Sequence, residues 1–185
     1  MPIKIPRAEE TIARTVASLR IAVFPQDPLM SMDESFLVSI WNSVVRRDGA
    51  VIESAIMDCV EQTPKFRLMP VACVGSRKVD VQFEVIVKRC VVALEVKRGS
   101  LHDSTKIRSF QRDLVEMPEI LRRCLPDNCS DVHFHILFVS GVPPIAEGLT
   151  LANLKKLYGL DATLHIDRAR RRFADAVRAV IKERT

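Results

Sequence analysis

One tryptophan and one tyrosine among 185 residues leave little with which to stack unpaired bases, so an aromatic platform for single strands is not expected. No uninterrupted apolar run approaches the roughly 18 residues needed to cross a bilayer. The clearest run, around residues 135–139, has the length of a strand, and no membrane association is expected. The phosphate loops G-x-G-x-x-G and G-x-x-x-x-G-K-[ST] are absent, as are the nucleophile elbow G-x-S-x-G and the zinc motif H-E-x-x-H. Chemistries built on those motifs have no foothold here. The five cysteines, Cys59, Cys73, Cys90, Cys124 and Cys129, are odd in number and form no C-x-x-C pair. They read as reduced thiols in a cytoplasmic protein. The opening MPIKIPRAEETIARTVASLR has the arginines and amphipathicity of a transit peptide, but Glu9 and Glu10 favour a structural first helix.

What is present is an ordinary globular balance, 48% hydrophobic and 28% charged, in a length that suits one domain with a sizeable core. The net charge of +5 favours an anionic partner. Ile12, Val16, Leu19 and Val23 recur at helical spacing over residues 8–23. A second helix is expected over residues 33–47, capped by Ser31 or Asp33 and burying Phe36, Leu37, Ile40, Trp41, Val44 and Val45. Asp48-Gly49 is expected to break it, and a third helix, 50–62, then buries Ile52, Ala55, Ile56, Cys59 and Val60. From residue 66 the period becomes strand-like, with strands over 66–74, 79–87 and 90–97. A helix over 104–124 carrying Pro118, a buried strand HFHILFVSG and a short helix over 150–158 closed by Gly159 follow. ATLHI reads as a last strand, and Ile166, Ala169, Phe173, Val177 and Val180 mark a terminal helix. The order predicts an α/β chain of one domain, 1–185, with helices flanking a central mixed sheet of about five strands. Its core spans about 49–140, with N-terminal helices over 8–47 and a C-terminal strand and basic helix over 150–185.

The stretch KVDVQFEVIVKRCVVALEVKRG carries charges where a hairpin is usually apolar. With Lys88-Arg89 as a two-residue turn, Val87 faces Cys90, and Asp80 then opposes Lys97, Gln82 opposes Glu95 and Glu84 opposes Ala93. Asp80, Glu95 and Lys97 share one face. Val81, Phe83, Val85, Val87, Val92, Leu94 and Val96 take the other, which suits a core. Two carboxylates on adjacent strands suit a hard cation such as Mg²⁺, with water and substrate phosphate completing its shell. Metal-assisted hydrolysis of a phosphodiester is the expected chemistry, with Lys97 orienting the attacking water or offsetting transition-state charge.

Asp80 followed after fourteen residues by Glu95-Val96-Lys97 resembles the D-x(n)-E-x-K signature of the PD-(D/E)XK nucleases, the restriction-endonuclease-like superfamily. The order of elements over residues 49–140 is similar too: a Glu-bearing helix, a three-strand meander, a helix and a strand. Val79 stands where the short motif has proline. The resemblance implies a DNA endonuclease, with RNA the lesser expectation, using Mg²⁺ or Mn²⁺ held by Asp80, Glu95 and the Val96 carbonyl. Glu53 resembles the family's helix carboxylate, against the rival helical carboxylates Glu34 and Glu61. Gln111 resembles a glutamine of some exonuclease branches, but Val115 stands where their tyrosine would be. A homodimer would match two sites to the symmetry of a duplex.

Other readings compete. Asp80, Glu95 and Lys97 also suit a solvated edge hairpin, and the same fold could serve as a non-catalytic nucleic-acid-binding or protein-interaction module. Cys124, Cys129, His133 and His135 invite zinc, but their spacing fits ordinary zinc sites poorly. His102 is a loop histidine near the hairpin. Arg77, Lys78, Arg98 and Lys106 surround the proposed site as phosphate contacts. The terminal helix adds seven basic residues, Arg170 and Arg171 among them, against three acidic ones.

Overall fold

The computed structural model describes residues 3–22, 28–71, 73–74, 77–99, 104–125 and 131–184. Its backbone divides into two compact units, Met1–Asp58 with Leu164–Thr185, and Cys59–Thr163. Among the described residues there are five α-helices, a five-stranded mixed sheet and a small two-stranded one. No helix there is long and apolar enough to cross a membrane.

The helical unit contains α1 (Pro6–Ile21), most of α2 (Met32–Glu61) and nearly all of α5 (Thr163–Arg184). Pro6 suits the first turn of α1, where an N–H has no helical partner. The α1 N-cap, Ile5, makes no side-chain capping bond. Asp58 does that work from α2: its fully buried carboxylate accepts the Arg7 and Ala8 backbone N–H groups, both at 3.0 Å. Ser31 and Glu34 cap α2 reciprocally, the Ser31 N–H donating to Glu34 at 2.9 Å and the Glu34 N–H to the Ser31 hydroxyl at 3.2 Å. That cap accounts for Glu34 without a catalytic role.

Three expectations are corrected. Asp48-Gly49 does not break the chain into two helices, because α2 runs on through both residues. A helical glycine costs only about 1 kcal/mol, while the buried stripe Val51, Ile52, Ala55 and Ile56 rewards continuation and Asp48 meets Arg170 at 3.3 Å. The expected burial of the first half of α2 holds for Ile40, but Leu37 is exposed and Trp41 is 67% exposed. ATLHI is not a strand either. Ile166 and Ala169 fall on the buried side of α5, and Asp161 accepts the Thr163 N–H at 3.3 Å where the helix begins.

In the unit Cys59–Thr163 the main sheet has the order β1 (Phe66–Leu68), β4 (Val81–Val85), β5 (Cys90–Lys97), β6 (Asp131–Phe138), β7 (Leu149–Thr150). The two-residue strands β2 (Cys73–Val74) and β3 (Arg77–Lys78) pair with each other. The first strand of the expected meander therefore ends at Leu68; Met69 still donates to the Gln82 carbonyl at 2.9 Å, and Pro70 after it cannot donate to a ladder. β1, β4 and β5 are antiparallel, and β6 and β7 add in parallel. The β5 to β6 crossover contains α3 (Ser104–Cys124), which runs through Pro118. Its Phe110, Met117 and Leu121 pack with Ala93, Val132, Phe134, Ile136 and Phe138 of the sheet. α4 (Leu151–Tyr158) closes as expected, with Thr150 accepting the Asn153 N–H and Gly159 in the left-handed region at φ 73°.

The continuity of α2 makes a direct prediction. A β-carbon on Gly49 meets nothing nearer than Glu53 Oε1 at 3.8 Å. Gly49→Ala is expected to raise unfolding free energy by about 0.5–1 kcal/mol; destabilisation in urea melts would instead indicate a helix break at this position.

Candidate functional site

The hairpin that carries the proposed chemistry does not turn at Lys88-Arg89 alone. Ile86–Lys88 form a 3-10 turn and Arg89 adopts φ 50°, the left-handed region. Val85, not Val87, therefore pairs with Cys90, followed by Phe83 with Val92, Gln82 with Ala93 and Val81 with Leu94. Val87 leaves the core face and is 85% exposed. A slip of two residues preserves which face each side chain occupies. Asp80, Glu95 and Lys97 still share a face, but the pairing continued past Val81 sets Asp80 against Glu95 instead of Lys97. Val81, Phe83, Val85, Val92, Leu94 and Val96 are all buried on the other side.

The charged face is not a solvated edge. β5 is an interior strand, and α3 covers the face that carries Ala93, Glu95 and Lys97. Asp80 is fixed from two sides: its N–H donates to the Leu94 carbonyl at 2.9 Å, and its Oδ2 accepts the Val96 N–H at 2.7 Å. Lys97 Nζ donates to Glu95 Oε1 and lies 5.7 Å from the centre of the Phe110 ring. Both partners of that ion pair are mostly shielded, with side-chain exposures of 29% for Glu95 and 26% for Lys97. Burial pushes the Glu95 carboxyl above the usual carboxylate range; Lys97 opposes the shift, while the charges of Asp80 and Asp113 add to it.

A cleft of about 270 Å³ opens beside Glu95, with Lys78 on one side and Ser109, Arg112 and Asp113 of α3 on the other. These three α3 residues were not singled out from sequence. Their signal is helical spacing: they flank the apolar stripe Phe110, Leu114, Met117 and Leu121, so a helix laid over the sheet brings them to its edge. Arg112 Nε lies 4.0 Å from both Asp113 Oδ1 and Glu116 Oε2. The cleft thus offers carboxylate oxygens for a hard cation beside basic groups for an anion.

The other sequence candidates fall as follows. Lys78 lines the cleft and is exposed, and Lys106 is exposed on the first turn of α3. Arg98 is half-buried beyond the end of β5, where its carbonyl accepts the Ser140 N–H at 3.0 Å. The Arg77 side chain, His102 and Cys129 lie outside the described residues. Glu53 lies half-buried inside α2, in the helical unit, well past the start of that helix. Gln111 and Val115 are both exposed. His133 meets Asp131 at 2.9 Å, and His135 shares a 2.7 Å hydrogen bond with the Tyr158 hydroxyl. Arg170 is tied to Asp48 on α2, whereas Arg171 is exposed on α5.

Among the described residues no three of His, Cys, Asp and Glu converge as a ready-made metal cage. Asp80 and Glu95 are a pair, and Mg²⁺ fits such a donor set because it ordinarily retains several waters and takes one or two carboxylates.

The raised Glu95 pKa has a signed consequence. The native chain keeps this proton at pH values where the unfolded chain has lost it, so stability falls as pH rises from 4.5 through the folded value. Without divalent cations, Glu95→Gln is expected to gain stability relative to wild type as pH rises above 4.5 in urea unfolding. A difference independent of pH would contradict the assignment.

No family model, curated protein or solved structure matches this chain.

Proposed function

We propose that this protein is a metal-dependent phosphodiesterase acting on nucleic acid, a DNA endonuclease of the PD-(D/E)XK type with a restriction-endonuclease-like core. The observation that carries the reading is the convergence, beneath α3, of Asp80 held on the Val96 N–H with the Glu95–Lys97 pair, beside a cleft that also presents Lys78 and Arg112. A solvated ion pair would explain the charges but not their placement on a covered sheet face, where carboxylates are costly without a cation or donors. The D-x(n)-E-x-K spacing supports the same reading from the sequence.

Asp80, Glu95 and the Val96 carbonyl would hold Mg²⁺ or Mn²⁺. Such a cation supplies charge stabilisation at the phosphate and a lowered pKa for bound water. The chain's own contribution is orientation. The Val96 N–H fixes the Asp80 carboxylate, and the Phe110 ring and Glu95 hold the Lys97 ammonium in the shielded site. Glu95 would serve as a ligand of the cation, and Lys97 would orient the attacking water or offset negative charge on the phosphate. Lys78 and Arg112, which line the cleft, would bind the phosphodiester.

One observation favours a second reading, a non-catalytic module on the same fold. Lys97 already satisfies Glu95, and the carboxylates number two where a preformed cage would need more. Cleavage separates the two. With Mg²⁺ or Mn²⁺ the purified protein is expected to cut supercoiled, linear or single-stranded DNA. Asp80→Ala and Lys97→Ala, with folds verified by circular dichroism, are each expected to lose about 10²–10³-fold or more in rate. An inactive wild type whose melting temperature neither metal raises would favour the binding module.

A further inference from the structure

The seven basic residues of α5 form an undifferentiated run in the sequence, but the structure separates those that serve the fold from those that do not. Arg170 reaches Asp48, whose side chain is only 13% exposed, at 3.3 Å. Arg178 donates to Asp175 at 2.8 Å. Arg184 donates to the carbonyls of Arg20 and Ala22 at 2.8 and 3.1 Å, and its guanidinium lies 5.5 Å from the Phe36 ring. Arg168, Arg171 and Arg172 are exposed and make no hydrogen bond or ion pair among the described residues; Lys182, ten residues beyond Arg172, is in the same state.

The three arginines have the spacing i, i+3, i+4, which brings their side chains onto one side of the helix about 5–6 Å apart at the β-carbons. All three line a single cleft of about 490 Å³ in the helical unit, bordered by Ile3 and Leu164. Two carboxylates border it as well. Asp175 is engaged by Arg178, so its charge is offset, and Asp167 leaves the group net positive. Three adjacent guanidinium groups without partners among the described residues repel one another, and an anion with closely spaced charges relieves that repulsion. Duplex DNA provides one charge per about 1.7 Å of its axis.

We infer that Arg168, Arg171 and Arg172 form a contact surface for the sugar–phosphate backbone of duplex nucleic acid. The choice of partner rests on the nuclease reading above; the surface itself rests on the partner accounting along α5. The contact carries no base readout, because it is made to phosphates. Its signature is therefore affinity and salt dependence, not sequence preference.

The test is fluorescence anisotropy with a labelled duplex, using full-length protein in EDTA so that no cleavage occurs. Arg168→Gln/Arg171→Gln/Arg172→Gln is expected to bind at least tenfold more weakly at moderate salt. The slope of log affinity against log salt is expected to shrink by about 2–3, close to 0.9 per lost phosphate contact. Replacing the same three residues by lysine should retain most of the slope, since a point charge suffices for a backbone contact. Arg170→Gln, which breaks an internal ion pair, should lower the melting temperature without changing the slope. Unchanged affinity and slope in the triple glutamine variant overturn the inference, as does wild-type protein that binds anionic vesicles but no duplex. Duplex binding that depends on these arginines, in a protein that never cuts with Mg²⁺ or Mn²⁺, sinks the nuclease reading and leaves this surface standing. Cleavage by a triple variant with intact binding does the reverse.

Discussion

The register of β4 on β5 is the constraint from which the candidate site follows. Arg89 in the left-handed region and the 3-10 turn before it pair Val85 with Cys90, and every later pair is counted from there. With that count Asp80 arrives opposite Glu95, where its carboxylate takes the Val96 N–H. A slip of one residue would put the apolar sets of the two strands on opposite faces, turning either Phe83 or Leu94 out of the core. The apolar face forbids it. A slip of two leaves the core intact, so burial alone does not choose between the two registers; the turn does.

The second element is the helix laid over the charged face. The parallel step from β5 to β6 requires a crossover, and α3 supplies it with Phe110, Met117 and Leu121 against Ala93, Phe134 and Phe138. The same packing shields Glu95 and Lys97 in part and brings Arg112 and Asp113 to the cleft. Asp58 offers an instructive contrast. It is more deeply buried than Glu95, yet two backbone N–H groups at the start of α1 hold it, and the positive end of that helix suits its charge. Glu95 has one lysine and two like-charged neighbours. Asp58 is thereby a structural carboxylate, whereas burial and like charge hold the Glu95 carboxyl above its usual range against the opposing pull of Lys97.

Much of this was legible in the sequence. The meander, the α3 helix through Pro118, the buried strand β6, the Gly159 stop and the buried stripe of α5 all follow from periodicity and turn chemistry. So does the shared face of Asp80, Glu95 and Lys97, because a period of two survives an even slip. Exact pairing did not follow, since a left-handed arginine leaves no mark of the kind that Asn-Gly does. Asp48-Gly49 was misleading for a related reason: local punctuation lost to the apolar stripe continuing beneath it. ATLHI reads as a strand by β-branched content, and only its phase with Phe173 and Val177 reveals a helix. Arg112 and Asp113 were out of reach until the crossover placed α3 on the sheet.

The account stands or falls on a cation at the Asp80–Glu95 pair. Titration of Mn²⁺ into wild-type protein and Asp80→Asn at neutral pH, followed by electron paramagnetic resonance, measures this without substrate. The account predicts a single bound Mn²⁺ in wild type and at least tenfold weaker binding in the variant. No bound Mn²⁺, or equal binding by both proteins, would contradict it.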